Sequence, residues 1–97
     1  SVEQMLEQHP AVHQAVVVPV ADDLKGQLPV AFVRIESGAQ MGVQELKQFA
    51  LENGPAYAHP RHIWFVEEIP LASTAKVDRI GLVERAQELL LTQGHTT

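Results

Sequence analysis

The cationic side chains best placed to stabilise a reacting anion lie in one short stretch, residues 69–79. Lys76 and Arg79 are three residues apart there, after Pro70 and a run of small residues at positions 72–75. Proline and short polar residues favour a loop over a helix or a strand. A loop lysine can bring an ammonium group to phosphate and carboxylate oxygens that gain negative charge during a reaction. From this stretch alone, a solvated surface lysine remains the plainer interpretation.

The elements that must hold this loop follow from the spacing of the apolar residues. Apolar residues at i, i+3 and i+4 indicate helices, and compact runs rich in valine and aromatic residues indicate strands. The predicted order is a short helix from residue 2, strands at 12–20 and 28–36, a helix at 43–53, a strand at 62–66 and a helix at 80–91. This order predicts an α+β fold in which a three-stranded sheet is covered by three helices, αββαβα.

The ends of these elements carry recognisable signals. Ser1 and Gln4 have the spacing of a capping box, and Asp78 is placed to cap the last helix. Residues 19–27 are expected to form a polar loop, which makes the first two strands a hairpin with a long connection. The polar residues 92–97 are expected to fray.

Composition limits the classes of function. The 97 residues, of which 45% are hydrophobic, are expected to form one domain with a real core. A net charge of −5 argues against nucleic acid or anionic membrane as the main partner, and the longest apolar run, residues 15–21, is too short for a membrane span. The chain has no cysteine, which excludes disulfides and thiol catalysis within it and suits a cytoplasmic location.

The histidines and paired aspartates do not predict a metal site. His9 and His13 are four residues apart, but Pro10 between them breaks the helix that would bring their rings together. No zinc-binding spacing is present, and Asp22 and Asp23 are better explained as a solvated turn than as magnesium ligands. We therefore assign no metal to this chain.

The lysine stretch resembles the last motif of the acyl-adenylate-forming enzymes, a family that includes acyl-CoA synthetases, peptide-synthetase adenylation domains and firefly luciferase. Their pattern is roughly Pro-x-Thr-x-x-Gly-Lys-Val/Ile-x-Arg, and Pro70, Lys76, Val77 and Arg79 match it. Alanine replaces threonine at position 72 and, more importantly, glycine at position 75. Because alanine disfavours the backbone angles that glycine tolerates, we expect Ala75 to adopt a negative φ and the loop to follow a slightly shifted path.

Further matches occur in the same order along most of the chain. The opening Ser-Val-Glu-Gln-Met-Leu-x-x-His-Pro-Ala-Val is similar to the segment that follows the hinge in this family. Residues 22–33 resemble its Asp-x-x-x-Gly-Glu/Gln-x-Pro-x-Ala-x-Val. Tyr57, Pro60 and Arg61 resemble its Tyr-Lys-x-Pro-Arg, with Ala58 in place of the lysine. The chain thus looks like the small mobile C-terminal domain of such an enzyme, without the hinge and the large N-terminal domain.

The resemblance implies a function in two half-reactions. ATP and a small carboxylic acid would give acyl-AMP with Lys76 as the catalytic residue, and the domain would then rotate so that coenzyme A attacks. The same resemblance places Lys25 and Gly26 beside the pantetheine channel, whereas the residues alone indicate only a turn. It also implies that Mg²⁺ is held mainly by ATP and the missing domain. The expected enzyme is an AMP-forming acyl-CoA synthetase, in keeping with fatty acid metabolism, and the 97-residue chain alone is expected to be inactive.

Two alternatives remain open at this point. The chain is also compatible with the C-terminal part of a peptide-synthetase adenylation domain, although the helix after Arg79 and the sparse tail favour a free-standing ligase. The other alternative is a non-catalytic α+β binding or regulatory module, which is supported by Ala75, because it breaks the motif, and by the small size of the chain.

Overall fold

The computed structural model of the chain describes residues 1–55 and 59–93. Its elements are α1 (Val2–Glu7), β1 (Val12–Asp22), β2 (Gly26–Ile35), α2 (Val43–Asn53), β3 (His62–Phe65) and α3 (Arg79–Gln93). The predicted α+β class and the order αββαβα are confirmed.

The three strands form one mixed sheet in the order β1-β2-β3. β1 and β2 are antiparallel, whereas β2 and β3 are parallel and are joined through α2. The central strand β2 therefore has a neighbour along both edges. β1 has a free outer edge, whose N–H and C=O groups need other partners.

The sheet lies between two helical layers, and β2 is buried on both faces. Ala31 and Val33 point towards α1 and α2, while Val30 and Phe32 point towards α3. On the first side they pack with Met5, Leu6, Val12, Ala15, Leu46, Ala50 and Ile63. On the second side they pack with Val16, Val18, Val20, Ile69, Leu82 and Ala86. The unbroken apolar run in β2 is the expected pattern for a strand covered on both sides.

The hairpin between β1 and β2 differs from its prediction. Residues 19–27 were expected to form a long loop, but the strands pair as far as Asp22 and Gly26, and only residues 23–25 connect them. Pro19 pairs with Pro29 inside the ladder. Pro19 suggested a loop because proline lacks an N–H, yet the edge strand β1 tolerates proline where no ladder hydrogen bond is needed. The alternation of buried residues continues to Val20, which is 3% exposed.

The helix ends agree with the predicted caps. Ser1 and Gln4 form the complete capping box of α1, and the Asp78 carboxylate accepts the Gly81 amide at 2.9 Å at the start of α3. α3 extends through Thr92 to Gln93, which is longer than expected, and residues 94–97 of the predicted frayed tail lie outside the described residues. Within residues 1–55 and 59–93, none of the helices is long and apolar enough to cross a membrane.

Phe32 gives a direct test of this core, because its side chain is fully buried between β2 and α3. Phe32→Ala is expected to lower the free energy of unfolding by about 3–5 kcal/mol, since it removes transfer energy and leaves a cavity. The matched control is Leu24→Ala, because Leu24 is 94% exposed at the hairpin tip; it should change stability by less than about 0.5 kcal/mol. Urea unfolding of the 97-residue chain measures both. A loss of similar size in the two variants would contradict the described core.

Candidate functional site: the Lys76 loop

Residues 70–78, the lysine loop, fold into a small closed hairpin. Leu71 and Val77 form an antiparallel bridge, and the Asp78 amide donates to the Pro70 carbonyl at 2.9 Å. Nearer the tip, the Ala72 amide donates to the Lys76 carbonyl at 2.7 Å. Backbone hydrogen bonds thus fix the path of the loop on both sides of Lys76.

Ala75 has φ of 66°, so the expectation of a negative φ was wrong. The reason lies in the hydrogen bonds of Ala72, whose carbonyl accepts the Ala75 amide at 2.9 Å while its amide reaches Lys76. A four-residue turn followed by a bulge makes this pattern, and the bulge residue takes the left-handed conformation that favours glycine. Ala75 therefore keeps the backbone path that glycine would give and bears the strain of its own Cβ.

Lys76 projects from this turn into solvent. Residues 73–76 are all exposed, and within residues 1–55 and 59–93 the Lys76 ammonium has neither an ion pair nor a hydrogen bond. A fixed backbone thus carries a cation with no partner in the described part of the chain. Such a group is available to anions that approach this end of the molecule.

The approach to the loop is tied to the sheet. The Val66 amide donates to the Val33 carbonyl at 2.9 Å, directly after β3. The Arg34 guanidinium donates to the Glu67 carbonyl at 3.1 Å. Ile69, only 8% exposed, then enters the core beneath α3. The chain therefore reaches the loop from a fixed point.

The exit from the loop is the capped start of α3. A Cβ added at Gly81 would collide with the Asp78 carboxylate, so glycine at this position allows the cap to close tightly. Val77, between the lysine and the cap, packs against the core beneath α3. Only two residues thus separate Lys76 from a capped helix that is itself packed on the sheet.

Arg79, the first residue of α3, ties the loop to α1. Its guanidinium binds the Glu3 carboxylate through two nitrogens, at 2.8 and 3.1 Å, and donates to the Val17 carbonyl of β1 at 3.1 Å. Glu3 also accepts the Val17 amide at 2.8 Å. One carboxylate and one guanidinium together satisfy both backbone groups of Val17 at the free edge of β1.

Glu7 satisfies a second amide at the same edge of β1, because its carboxylate accepts the Ala15 amide at 3.0 Å. Glu3 and Glu7 are one helical turn apart on α1, and Ala15 and Val17 are two residues apart on β1. The pairing matches the helical and strand periods. The sequence carried this signal as two glutamates at i and i+4, but it did not identify their partners, since the strand order was not known.

The electrostatics of the pair favour the ionised state. Burial alone would raise the pKa of Glu3, but hydrogen bonds from Arg79 and the Val17 amide, together with the charge of Arg79, hold that pKa below its ordinary value. The hydrogen bond to Glu3 raises the pKa of Arg79. The lowered pKa of Glu3 and the raised pKa of Arg79 indicate that the contact stabilises the charged forms of both groups.

Lys25 and Gly26 lie at the other end of α3 from the lysine loop. Asp22 lines a groove of about 510 Å³ with Leu90 and Leu91, near the C-terminal end of α3, whereas Lys76 precedes its N-terminus. The Asp22 carboxylate accepts the Lys25 amide at 2.8 Å, and Gly26 has φ of 81°. The structure does not bring the predicted lysine and hairpin sites together.

The remaining matched motif lies beside the start of β3. The Arg61 amide donates to the Pro29 carbonyl at 2.9 Å, and the Arg61 carbonyl accepts the Lys47 ammonium at 2.9 Å. Tyr57 and Ala58 of the same motif lie outside the described residues. The backbone of Arg61 therefore has a structural role in starting β3 beside β2.

Ala75→Gly tests the strain in the loop. Because Ala75 has φ of 66°, glycine should leave the free energy of unfolding unchanged or raise it by about 1 kcal/mol. Ala72→Gly is the control in the same loop, where φ is not positive, and it should lower stability by about 0.5–1 kcal/mol. Urea unfolding of both variants decides the matter. Equal losses would mean that Ala75 is not strained.

Glu3→Gln tests the pH dependence of the Arg79 contact. The folded-state pKa of Glu3 lies below its ordinary 4.5. The stability that the ionised carboxylate contributes is therefore present above pH 4.5 and is lost as the pH falls through the lower folded value. Glu3→Gln should lower stability at neutral pH and flatten its fall below pH 4.5. Thermal unfolding of the 97-residue chain between pH 7 and pH 3 measures this.

Glu45→Gln is the matched control for that measurement, because Glu45 is an exposed residue in the first turn of α2. In the Glu45→Gln variant, stability should fall with decreasing pH as steeply as in the unaltered chain. A Glu3→Gln variant with that same unaltered slope would contradict the assigned contact.

Comparison with known proteins agrees with this architecture. A model of the AMP-binding enzyme C-terminal domain family matches residues 1–76. A mitochondrial medium-chain acyl-CoA ligase from Danio rerio is 35% identical over 89 residues, 92% of this chain and 15% of that protein. A 4-coumarate–CoA ligase from Vanilla planifolia is 37% identical over 83 residues, 86% of this chain and 15% of that protein.

The fold of the chain also matches that of a solved structure. An amide bond synthetase from Marinactinospora thermotolerans has a TM-score of 0.82 and 30% identity, covering 87% of this chain and 17% of that protein. The chain thus spans less than a fifth of the length of these relatives. The matched family region begins at the capped helix α1 and ends at Lys76. This chain belongs to the AMP-binding enzyme C-terminal domain family, and its resemblance is to acyl-CoA synthetases.

Proposed function

We propose that the chain is the mobile C-terminal domain of an AMP-forming carboxylate–CoA ligase, in which Lys76 is the catalytic residue of acyl-adenylate formation. The observation that carries the proposal is the Lys76 ammonium on a closed loop, exposed and without an ion pair or hydrogen bond among residues 1–55 and 59–93. The named relatives with CoA ligase activity support the reaction class. The large N-terminal domain would bind ATP and the carboxylic acid.

In the first half-reaction, a carboxylate oxygen attacks the α-phosphorus of ATP and pyrophosphate leaves. Two anions must approach each other, and negative charge spreads over the phosphate oxygens in the transition state. Lys76 would contact both the carboxylate and the α-phosphate, so that its charge holds them together and offsets the developing charge. A lysine already fixed by the backbone of its loop needs little reorganisation to do this.

In the second half-reaction, the thiol of coenzyme A attacks the acyl carbonyl and AMP leaves. The proposed rotation of the domain would withdraw Lys76 and present the hairpin with Lys25 and Gly26 to the pantetheine arm. The placement of these two sites at opposite ends of α3 supports the proposal, because one rigid body could not offer both to a single active site at once.

The described residues do not themselves form a metal site. Within residues 1–55 and 59–93, no group of three or more histidine, aspartate or glutamate side chains is placed to hold a metal ion. Asp22 accepts the amides of Leu24 and Lys25 instead. In the proposed enzyme, Mg²⁺ would be held mainly by ATP and the large domain.

The backbone at Ala75 argues against the non-catalytic alternative. That alternative was supported in part by the loss of glycine, yet Ala75 adopts φ of 66° and preserves the turn before Lys76. The protein thus retains the loop shape despite a strained residue. A module with no use for the lysine would have no need of that shape.

An amide-forming ligase is the second candidate, because the amide bond synthetase structure superposes on the chain with a TM-score of 0.82. The two candidates share acyl-AMP formation and differ in the acceptor. Supplying acyl-AMP with either coenzyme A or a primary amine separates them. Thioester formation at the higher rate supports the CoA ligase.

Lys76→Ala in the complete enzyme tests the role of the lysine. Loss of the charge is expected to slow carboxylate-dependent ATP–pyrophosphate exchange by about 10²- to 10³-fold. Thioester formation from synthetic acyl-AMP and coenzyme A should change by less than about twofold, because the lysine has then left the site. Equal losses in both half-reactions would contradict the proposed role.

Lys25→Ala is the matched control, since it removes another exposed lysine. It should spare exchange and slow the thioester step. The 97-residue chain alone should show no exchange. Robust exchange by that chain would overturn its assignment as one domain of a larger enzyme.

A further inference from the structure

The contact between Glu3 and Arg79 joins three elements at one point. Arg79 begins α3, Glu3 is the second residue of α1, and Val17 lies in β1. The guanidinium gives two nitrogens to the carboxylate and shares one of them with the Val17 carbonyl. Glu3 closes the ring of contacts through the Val17 amide. A bidentate contact of this kind fixes orientation as well as distance.

This contact lies next to the lysine loop. Only Val77 and Asp78 stand between Lys76 and Arg79, and both are held in place, by the bridge to Leu71 and by the cap of α3. A shift of Arg79 must therefore move the base of the loop. Ile69 on the entry side and Val77 on the exit side pack in the core beneath α3 without Arg79, so that loss of Arg79 would leave the loop attached to the core but would remove its contact with α1.

We infer that Glu3 and Arg79 are positioning residues, which hold the Lys76 loop in a fixed orientation to α1 and so to the hinge that precedes it. The inference rests on the proposed function, in which the chain before Ser1 leads to the large domain. In that arrangement the position of Lys76 relative to the large domain is set by contacts that run from α1 through Glu3 and Arg79 to the loop. Neither residue touches the reacting atoms.

A positioning role affects the two half-reactions differently. Acyl-adenylate formation needs the ammonium at one place, and a misplacement of about 1 Å can cost about a hundredfold in rate. Thioester formation uses the hairpin end of the domain, beyond the far end of α3. A merely structural role would instead lower both rates in parallel with the fraction of folded enzyme.

Arg79→Lys and Arg79→Gln in the complete enzyme test the inference. Lysine keeps the charge but loses the two-nitrogen contact, and glutamine loses both. Each is expected to lower kcat for ATP–pyrophosphate exchange by about tenfold or more, with KM for ATP and for the carboxylate unchanged within about twofold. Thioester formation from synthetic acyl-AMP should stay within about twofold of the unaltered enzyme. Glu3→Gln should show the same split with a smaller loss, because its amide oxygen can still accept the Val17 amide.

Arg85→Gln is the matched control, since it removes another arginine of α3 that pairs with a glutamate, Glu88, at 3.2 Å on the exposed surface. It should leave both half-reactions unchanged. Exchanging the charges, with Glu3→Arg and Arg79→Glu together, should not restore exchange, because the arginine would then face the Val17 amide and the glutamate its carbonyl. Rescue by the exchange would contradict the three-way contact.

The outcomes separate this inference from the proposed function. If Lys76→Ala abolishes exchange while both Arg79 variants retain kcat, the positioning role is wrong and the catalytic role stands. The positioning role is also wrong if the Arg79 variants lose both half-reactions equally. If Lys76→Ala itself leaves exchange intact, the proposed function has failed, whatever the Arg79 variants show.

Discussion

The central strand β2 has to be buried on both faces, and the arrangement of the other elements depends on that constraint. Val30 and Phe32 require cover on one face, and Ala31 and Val33 require it on the other. α1 and α2 cover the second face and α3 covers the first. The chain between β3 and α3 must then reach the α3 face of the sheet, and Ile69 already packs in the core on that face. The lysine loop follows Ile69 and leads directly into α3.

The loop gains its rigidity from hydrogen bonds at three levels. Backbone bonds close the turn around Lys76, the Asp78 carboxylate caps α3 directly behind it, and Arg79 connects the whole to Glu3 and β1. The Glu3 carboxylate also protects the free edge of β1 together with Glu7, since the two accept the Val17 and Ala15 amides. Edge protection and loop placement thus share the Glu3 carboxylate.

The sequence predicted the elements well because their signals are local. The capping box of Ser1, the cap of Asp78 and the apolar runs of the strands all act within a few residues. The long loop at 19–27 was wrong because a proline weakens a strand prediction even where the ladder does not need its N–H. The φ of Ala75 was wrong because residue type alone disfavours 66°, and the closing hydrogen bonds of Ala72 decide the angle. The contact between Glu3 and Arg79 spans 76 residues, and no local pattern could indicate it.

The most direct test of the central claim is a crystal structure of the complete enzyme with a stable acyl-adenylate analogue bound. We expect the Lys76 ammonium to lie about 2.7–3.2 Å from oxygens of the acyl phosphate, with the Glu3–Arg79 contact unchanged. A structure in which the lysine loop is docked on the large domain while Lys76 points away from the adenylate would contradict the account.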